Sequence, residues 1–319
     1  MKIVTPLSEL SHFESLAEAG ADELYCGFVP YEWLETYNMT VPINRREWLL
    51  SGCNICNYSS MHILKRMSEE WGIPVKITLN AHYYLPGQYE MLVGIIKRLI
   101  DIGFDTFIIA DTALVVYLQE KGIACKIHLS GEAEVMNHLC MDFYDMPPIT
   151  RFVFPRKVTL SDMKKLIQLN GSHKEFEAFY LNSFCQYSGG FCNSVHCDKF
   201  PTTCWLPNCM VPISGEKKER EVLKASVETR KTEHKYGSFA QTGCGICRIK
   251  ELKEAGVGFL KVVGRGHSLE SLNEDILQIK NIMKVAESES SAKACSDALR
   301  KEYFNLDCPS RCYYPEGLP

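Results

Sequence analysis

The sequence predicts an α/β protein built as a (β/α)8, TIM-barrel-like fold with a cysteine-rich insertion after its seventh strand. Three observations carry that expectation. Short runs rich in Val, Ile, Phe and Tyr alternate with segments whose apolar residues recur at helical spacing. Eight such runs occur, the number that closes a barrel of parallel strands. Several helical segments end in Gly just before the next run, at Glu-Ala-Gly20, Asp-Ile-Gly103 and Glu-Ala-Gly256, where a left-handed C-terminal cap turns the chain back toward the sheet. A repeated β-then-α order implies right-handed parallel crossovers. A doubly wound open sheet is the other reading of the same pattern.

In chain order, the strands are expected at 2–5 (KIVT), 22–28 (DELYCGF), 74–81 (PVKITLNA) and 105–111 (DTFIIAD). They continue at 124–130 (ACKIHLS), 149–155 (ITRFVFP), 176–182 (FEAFYLN) and 257–263 (VGFLKVV). Phe13, Leu16 and Ala17 make a helix face before Gly20; Met91, Leu92, Ile95, Ile96 and Leu99 make one before Gly103. Two intervals break the rhythm, 29–58 after strand two and 183–246 after strand seven. Both leave from the C-terminal end of a strand, the face on which barrel enzymes place their chemistry. Loops this long are usually functional. The expected organisation is strands one to seven in 1–182, the cysteine-rich insertion in 183–246, the last barrel unit in 247–287, and a C-terminal helix with a cysteine-containing tail in 288–319.

A composition of 46% hydrophobic and 23% charged residues excludes wholesale disorder. With 35 Lys plus Arg against 39 Asp plus Glu, the chain lacks the general basic footprint of a nucleic-acid binder. The charged stretch 214–236 mixes both signs and reads as a solvated helix or loop; Lys217, Lys218, Arg220 and Lys224 are its candidates for a phosphate contact. The first residues hold no apolar signal region, and no run of about 18 apolar residues occurs. The expectation is a cytoplasmic protein without membrane insertion.

Fifteen cysteines in 319 residues are many for a reducing compartment, where a cysteine group reads as metal-binding or redox-active. Cys125 and Cys140 fall in core patterns and are expected to be small core residues. Cys185, Cys192, Cys197, Cys204 and Cys209, followed by Cys244 and Cys247, form a dense group. Soft thiolates select iron–sulfur clusters or zinc over hard cations, and a four-iron cluster needs four of them converging. Gly189 and Gly190, between Cys185 and Cys192, let the backbone bend tightly around such a site. Zinc is the competing cofactor, because Cys53/Cys56 and Cys244/Cys247 are both CxxC pairs. Cys53, Cys56, Cys308 and Cys312 also allow a second thiolate site, with Tyr313 and Tyr314 docking the tail; independent thiols are the plainer reading of those four. Neither HExxH nor GxSxG occurs, so a peptidase would need another arrangement, such as Cys197 with His196.

These motifs resemble, in combination, the peptidase U32 family. Its pattern is C-x6-C after a strand with Ser-Gly before the second cysteine, a further cysteine pair, a later cysteine, then Glu-Ala-Gly, a strand and Gly-Arg. Here these read as Cys185, Ser188, Gly189 and Cys192, then Cys204 and Cys209, then Cys244, then EAGVGFLKVVGR ending in Arg265. EAGADELYCG resembles the family's first βα unit, VKITLN its third strand, DTFIIADTAL its fourth, and HLSGEAEVMN a segment that begins His-x-Ser and ends in Asn. The resemblance covers residues 1–285. Thr203 and Trp205 flank Cys204 where the family has Arg-Gly before its third cysteine, and Cys53, Cys56, Cys197, Cys247, Cys308 and Cys312 are additional.

The resemblance implies a [4Fe-4S] cluster held by Cys185, Cys192, one of Cys204 and Cys209, and Cys244. It implies hydroxylation without molecular oxygen, which family members perform on an RNA base or a quinone precursor, with prephenate as an oxygen source in some. Members that hydroxylate quinones work as two homologous chains, so a homologous partner subunit is implied beside a small-molecule or RNA substrate. A U32-type peptidase and a non-catalytic metal-binding subunit are the alternatives. The barrel mouth would supply Asn80, Asp111, His128, Glu132, Arg156 and Arg265, each at or just past the C-terminal end of an expected strand. Arg156 or Arg265 suits bidentate pairing with a carboxylate donor.

Overall fold

A computed structural model describes residues 1–37, 41–45, 52–170, 173–185, 189–192, 239–240, 242–306, 308 and 311–316. Its strands are β1 Lys2–Pro6, β2 Glu23–Phe28, β3 Asn54–Ile55, β4 Val75–Leu79, β5 Thr106–Ile109, β6 Lys126–Leu129, β7 Ile149–Val153, β8 Glu175–Leu181 and β9 Phe259–Val262. All pair in parallel, in the order β1-β9-β8-β7-β6-β5-β4-β2, and β1 also pairs with β2. The sheet therefore closes on itself as an eight-stranded barrel, and the open-sheet reading falls. β3, which sequence reasoning did not anticipate, adds a two-residue pairing to the end of β2, Gly27 with Asn54 and Phe28 with Ile55.

The helices are α1 Phe13–Ala19, α2 Tyr31–Tyr37, α3 Tyr58–Trp71, α4 Tyr89–Ile102, α5 Thr112–Glu120, α6 His138–Phe143, α7 Leu160–Asn170, α8 Ile249–Ala255, α9 Leu269–Ser288 and α10 Ala292–Phe304. The expected glycine caps are present at the ends of α1, α4 and α8, with φ of 102° at Gly20, 113° at Gly103 and 101° at Gly256. Alternation along the strands divides the apolar residues in two. Ile3, Leu24, Ile77, Phe107, Ile127, Phe152 and Leu260 join the main core shared with the helices, whereas Val4, Tyr25, Ile108 and Phe259 cluster separately.

Ion pairs crosslink the strands beside this second cluster. Arg151 on β7 donates from Nη1 and Nη2 to both oxygens of Glu23 on β2, at 2.6 and 3.0 Å, and from Nη1 to Glu177 on β8 at 2.9 Å. Its Nε donates 3.0 Å to Glu175, and its guanidinium lies 3.5 Å from the Phe259 ring centroid. Lys261 on β9 donates 2.6 Å to the other oxygen of Glu177. Charges buried this deeply are tolerated only when paired and hydrogen-bonded. Burial works against the Glu177 charge, but Lys261 and Arg151 outweigh it and hold the carboxyl below its ordinary range.

The C-terminal tail returns to the barrel. Tyr313 and Tyr314 are buried. Tyr314 donates 2.5 Å to the Phe179 carbonyl, and Tyr313 donates to the Asn182 carbonyl and packs edge-on to Phe184 at 5.4 Å. The tail docking expected from the two tyrosines is thus present, at the C-terminal end of β8. No helix among the described residues is long and apolar enough to cross a membrane.

Candidate active site

The loops past the strand ends build a second charged cluster, around Glu132. That residue lies in the short turn Gly131–Ala133, just beyond β6. His82, past β4, approaches Glu132 Oε2 at 3.1 Å; Arg156, past β7, donates 3.1 Å to Oε1; Arg45 Nε stands 3.6 Å from Oε2. Burial opposes the Glu132 charge, but hydrogen bonding from His82 and the Arg156 and Arg45 charges hold the carboxyl well below its ordinary range. The Arg156 guanidinium also stacks 3.9 Å from the Phe179 ring centroid, and its buried Nε has no hydrogen-bond partner among the described residues. One carboxylate thus faces three cationic or cationisable groups, with a buried donor to spare.

Gly189 and Gly190, after β8, sit on this cluster. The Gly190 amide donates 2.8 Å to Glu134 Oε1, and the Cys192 amide donates 3.1 Å to the Gly189 carbonyl. A Cβ on Gly189 would collide with the Glu132 carboxylate, and one on Gly190 with the Glu134 side chain, so only glycine lets the C-x6-C loop seat this closely. Cys185 and Cys192 are both half-buried. A thiolate at Cys185 would act on Arg156, Lys157 and Tyr313, which places it in a cationic setting.

Arg265, past β9, donates from Nη1 to Thr78 Oγ1 at 3.0 Å and to Asn54 Oδ1 at 3.2 Å. Asn80 and Asp111 brace loops. Asn80 Oδ1 accepts from the Arg45 amide at 3.1 Å. Asp111 caps α5 through the Ala113 amide at 2.9 Å and also accepts from the Tyr84 amide at 3.0 Å and the Tyr89 hydroxyl at 2.8 Å. His128 does not join the Glu132 cluster's hydrogen bonds. Its ring stands with Glu23 and Glu177, their nearest ligand atoms all within 4.8 Å of one another. Burial, then Arg151, Lys76 and Lys261, push its pKa well down, so the ring is neutral at pH 7. Arg151 and Lys261 already neutralise both carboxylates of that trio.

A model of peptidase family U32 matches residues 8–311. The chain belongs to peptidase family U32. It is 26% identical over 191 residues to the tRNA hydroxylation protein P of Escherichia coli (strain K12), covering 60% of this chain and 38% of that protein. The matched part therefore spans well under half of the relative. Among solved structures, the U32 peptidase Mk0906 superposes with a TM-score of 0.47 at 11% identity, over 83% of this chain and 93% of that one. The orotidine 5'-phosphate decarboxylase from Pyrococcus horikoshii OT3 superposes with a TM-score of 0.38 at 9% identity, over 86% and 98%.

The cysteines of this U32 chain are distributed unevenly. Cys185 and Cys192 lie at the Glu132 cluster. Cys197, Cys204 and Cys209 fall outside the described residues, as do Ser188 and the lysine and arginine candidates at 217, 218, 220 and 224. Cys244 is buried between β8 and the tail, bridged to Leu181 on one side and to Cys312 on the other. Cys53 is buried beside β3, and the exposed Cys56 donates 3.5 Å to the Asn54 carbonyl. Four mouth residues of the U32 chain escaped sequence reasoning: Arg45, His82, Asn54 and Thr78. His82 lies one residue past the expected strand 74–81, a signal that could have found it. Arg45 and Asn54 come from the long 29–58 insertion, where no periodicity ranks one polar residue above another.

Proposed function

We propose that this U32 chain is an iron–sulfur enzyme that hydroxylates its substrate without molecular oxygen. The observation that carries the reading is the seating of the Cys185–Cys192 loop on Glu132 and Glu134, with Arg156 and Lys157 facing Cys185. The donor set fits such a cofactor: two half-buried thiols beside a glycine pair, one of them, Cys185, near the Arg156 and Lys157 cations that favour thiolate. Cys204 or Cys209 and, on the family resemblance, Cys244 would complete a [4Fe-4S] cluster. When bound, the cluster supplies a Lewis-acidic iron or an electron relay.

The protein's own groups provide the rest. Arg156, with one N–H on Glu132 and another unengaged, binds and orients an anionic co-substrate such as the carboxylate of prephenate. Glu132 holds Arg156, Arg45 and His82 in place and stays ionised. Arg265, fixed by Thr78 and Asn54, presents a second cation beside β4. The substrate class is an RNA base, a quinone precursor or another small or peptidic molecule, and the name of the Escherichia coli relative favours an RNA base.

Purification without oxygen, followed by iron, sulfide and zinc analysis, tests the reading. A brown protein that loses iron on Cys185→Ala, but not on Cys125→Ala or Cys140→Ala, is the expected result. A colourless protein carrying zinc, or a Cys185→Ala variant with its full iron, overturns it.

A further inference from the structure

The mouth site draws on the far end of the chain. Just before Cys185 the backbone takes two successive left-handed residues that are not glycine, Asn182 at φ 68° and Ser183 at φ 48°. A side chain makes that conformation costly, and it persists only where the surroundings enforce it. Three other segments do so here. From α9, Asp275 accepts 2.5 Å from Asn182 Nδ2. From the segment before Cys244, the Gly243 carbonyl accepts 2.9 Å from the Asn182 amide, and the Thr242 carbonyl accepts 2.8 Å from the Phe184 amide. From the tail, the Tyr313 hydroxyl donates to the Asn182 carbonyl. This turn sets the path of the chain from β8 into Cys185.

Tyr313 makes two further contacts, and each bears on a cation of the mouth. Its ring stacks on Phe179, with 6.0 Å between centroids and 21° between planes. Phe179 is the ring against which the Arg156 guanidinium lies, 3.9 Å from the centroid. Tyr313 also meets Phe184 edge-on at 5.4 Å, and Lys157 Nζ stands 4.6 Å from the centroid of that second ring. A cation over a ring is attracted to the ring's face, so a shift of the ring displaces the cation. The three contacts of Tyr313 thus fall on the turn before Cys185, the ring under Arg156 and the ring under Lys157.

Tyr314 is the neighbouring residue and is equally buried, but its place differs. Its hydroxyl donates 2.5 Å to the Phe179 carbonyl, and its ring lies against Gly245. Those contacts anchor the tail to the backbone of the barrel.

We propose that Tyr313 is a positioning residue of the mouth site, supplied by the C-terminal tail: it fixes the turn that leads into Cys185 and the two rings that hold Arg156 and Lys157. The inference rests on the reading of the mouth as a thiolate cofactor site beside an anion-binding arginine. The tail is then a part of the site, and a chain ending before it would carry the mouth residues without their setting. Displacements of about 1 Å are enough to impair a site of this kind.

The test compares four full-length proteins purified without oxygen: the wild type, Tyr313→Phe, Tyr313→Leu and Tyr314→Phe. Prephenate affinity is read by calorimetry, the reduced protein by electron paramagnetic resonance, and Cys185 by iodoacetamide alkylation with mass analysis. Tyr313→Phe keeps the ring and loses the hydroxyl. It is expected to bind prephenate as the wild type does, while Cys185 alkylates about fivefold faster, the effect of losing one ordinary hydrogen bond. Tyr313→Leu loses ring and hydroxyl together, and is expected to bind prephenate about tenfold more weakly and to shift the reduced signal at unchanged iron content. Tyr314→Phe removes a hydroxyl bond from the same tail and leaves every readout as it is. A general loss of stability would not restore prephenate binding in the Phe variant while leaving Cys185 reactive. The proposal is overturned if Cys185 in Tyr313→Phe alkylates at the wild-type rate, if Tyr313→Leu binds prephenate with wild-type affinity, or if Tyr314→Phe moves either readout as far. Failure of the mouth reading looks different: the wild type itself holds no iron or binds no prephenate, and the alkylation rates then decide for or against Tyr313 without either. Should Tyr313→Leu not fold, the alkylation rate of Tyr313→Phe decides in the same way.

Discussion

The ion network inside the barrel and the one at its mouth combine acids and bases in different proportions. Inside, the buried Glu23 and Glu177 face Arg151 and Lys261, and both carboxylates are engaged, while Glu175 takes the Arg151 Nε from the exposed start of β8. At the mouth a single carboxylate, Glu132, faces Arg45, His82 and Arg156. The first arrangement consumes its own charge and ties β2, β7, β8 and β9 together. The second leaves the Arg156 Nε without a hydrogen-bond partner among the described residues, a donor that an entering anion can take. Charge type does not separate scaffold from site here; the donor left over on Arg156 does.

The comparison can be broken most forcefully from the inside. Arg151→Met leaves Glu23 and Glu177 buried without their shared cation, and is expected to cost about 3–5 kcal/mol in urea unfolding. A loss under 1 kcal/mol would mean that the network is not structural.

Asp275 supplies the next test, as a buried carboxylate paired with an amide, with no salt bridge among the described residues. It accepts 2.5 Å from Asn182 Nδ2 at the end of β8, and burial raises its pKa from 3.8 to about 7. The folded state therefore holds the proton more tightly than the unfolded chain. Its contribution is full below pH 3.8 and is lost as pH rises toward 7. Asp275→Asn should flatten the stability profile between these limits and raise stability at pH 8 by about 2 kcal/mol, given a shift of 1.36 kcal/mol per unit reduced for relaxation. An unchanged pH profile would discard this account.

At the mouth, Arg156→Lys keeps the charge but loses the planar fork. Affinity for a carboxylate such as prephenate, read by calorimetry, is expected to fall about tenfold, near 1.4 kcal/mol. The unfolding midpoint should barely move, in contrast to Arg151→Met. The smallest effect on stability is expected from Gly189→Ala, which unseats the C-x6-C loop from Glu132 while the barrel persists. Its signature is partial iron loss at unchanged circular dichroism.

Much of the fold was legible because parallel barrel strands are buried on both faces and read as short apolar runs between glycine-capped helices. All eight expected strands are present. What the runs concealed was the charge inside them: Arg151 sits in ITRFV and Lys261 in FLKV, where a lone cation among apolar residues carries no mark of its partner 128 or 84 residues away. His128 shows the same limit. It lies near a strand end, as a mouth residue would, yet its ring turns inward. Glu132, Arg156 and the Cys185–Cys192 loop were accessible because position past a strand and the C-x6-C spacing are local signals. The association of Cys244 with Cys312 was not, since it depends on where the tail returns.

That return has a bearing on how the protein is made. β1 finds its partner β9 only when residues 259–261 exist, so the ring of strands cannot close before they are made. The tail closes over Cys244 later still, once residues 311–314 have left the ribosome. Until then Leu181, Cys244 and the end of β8 lack their cover, and long-range closure of this kind is slow. Until β9 is in place, the nascent chain therefore carries unpaired strand edges at β1 and β8, which invite mispairing.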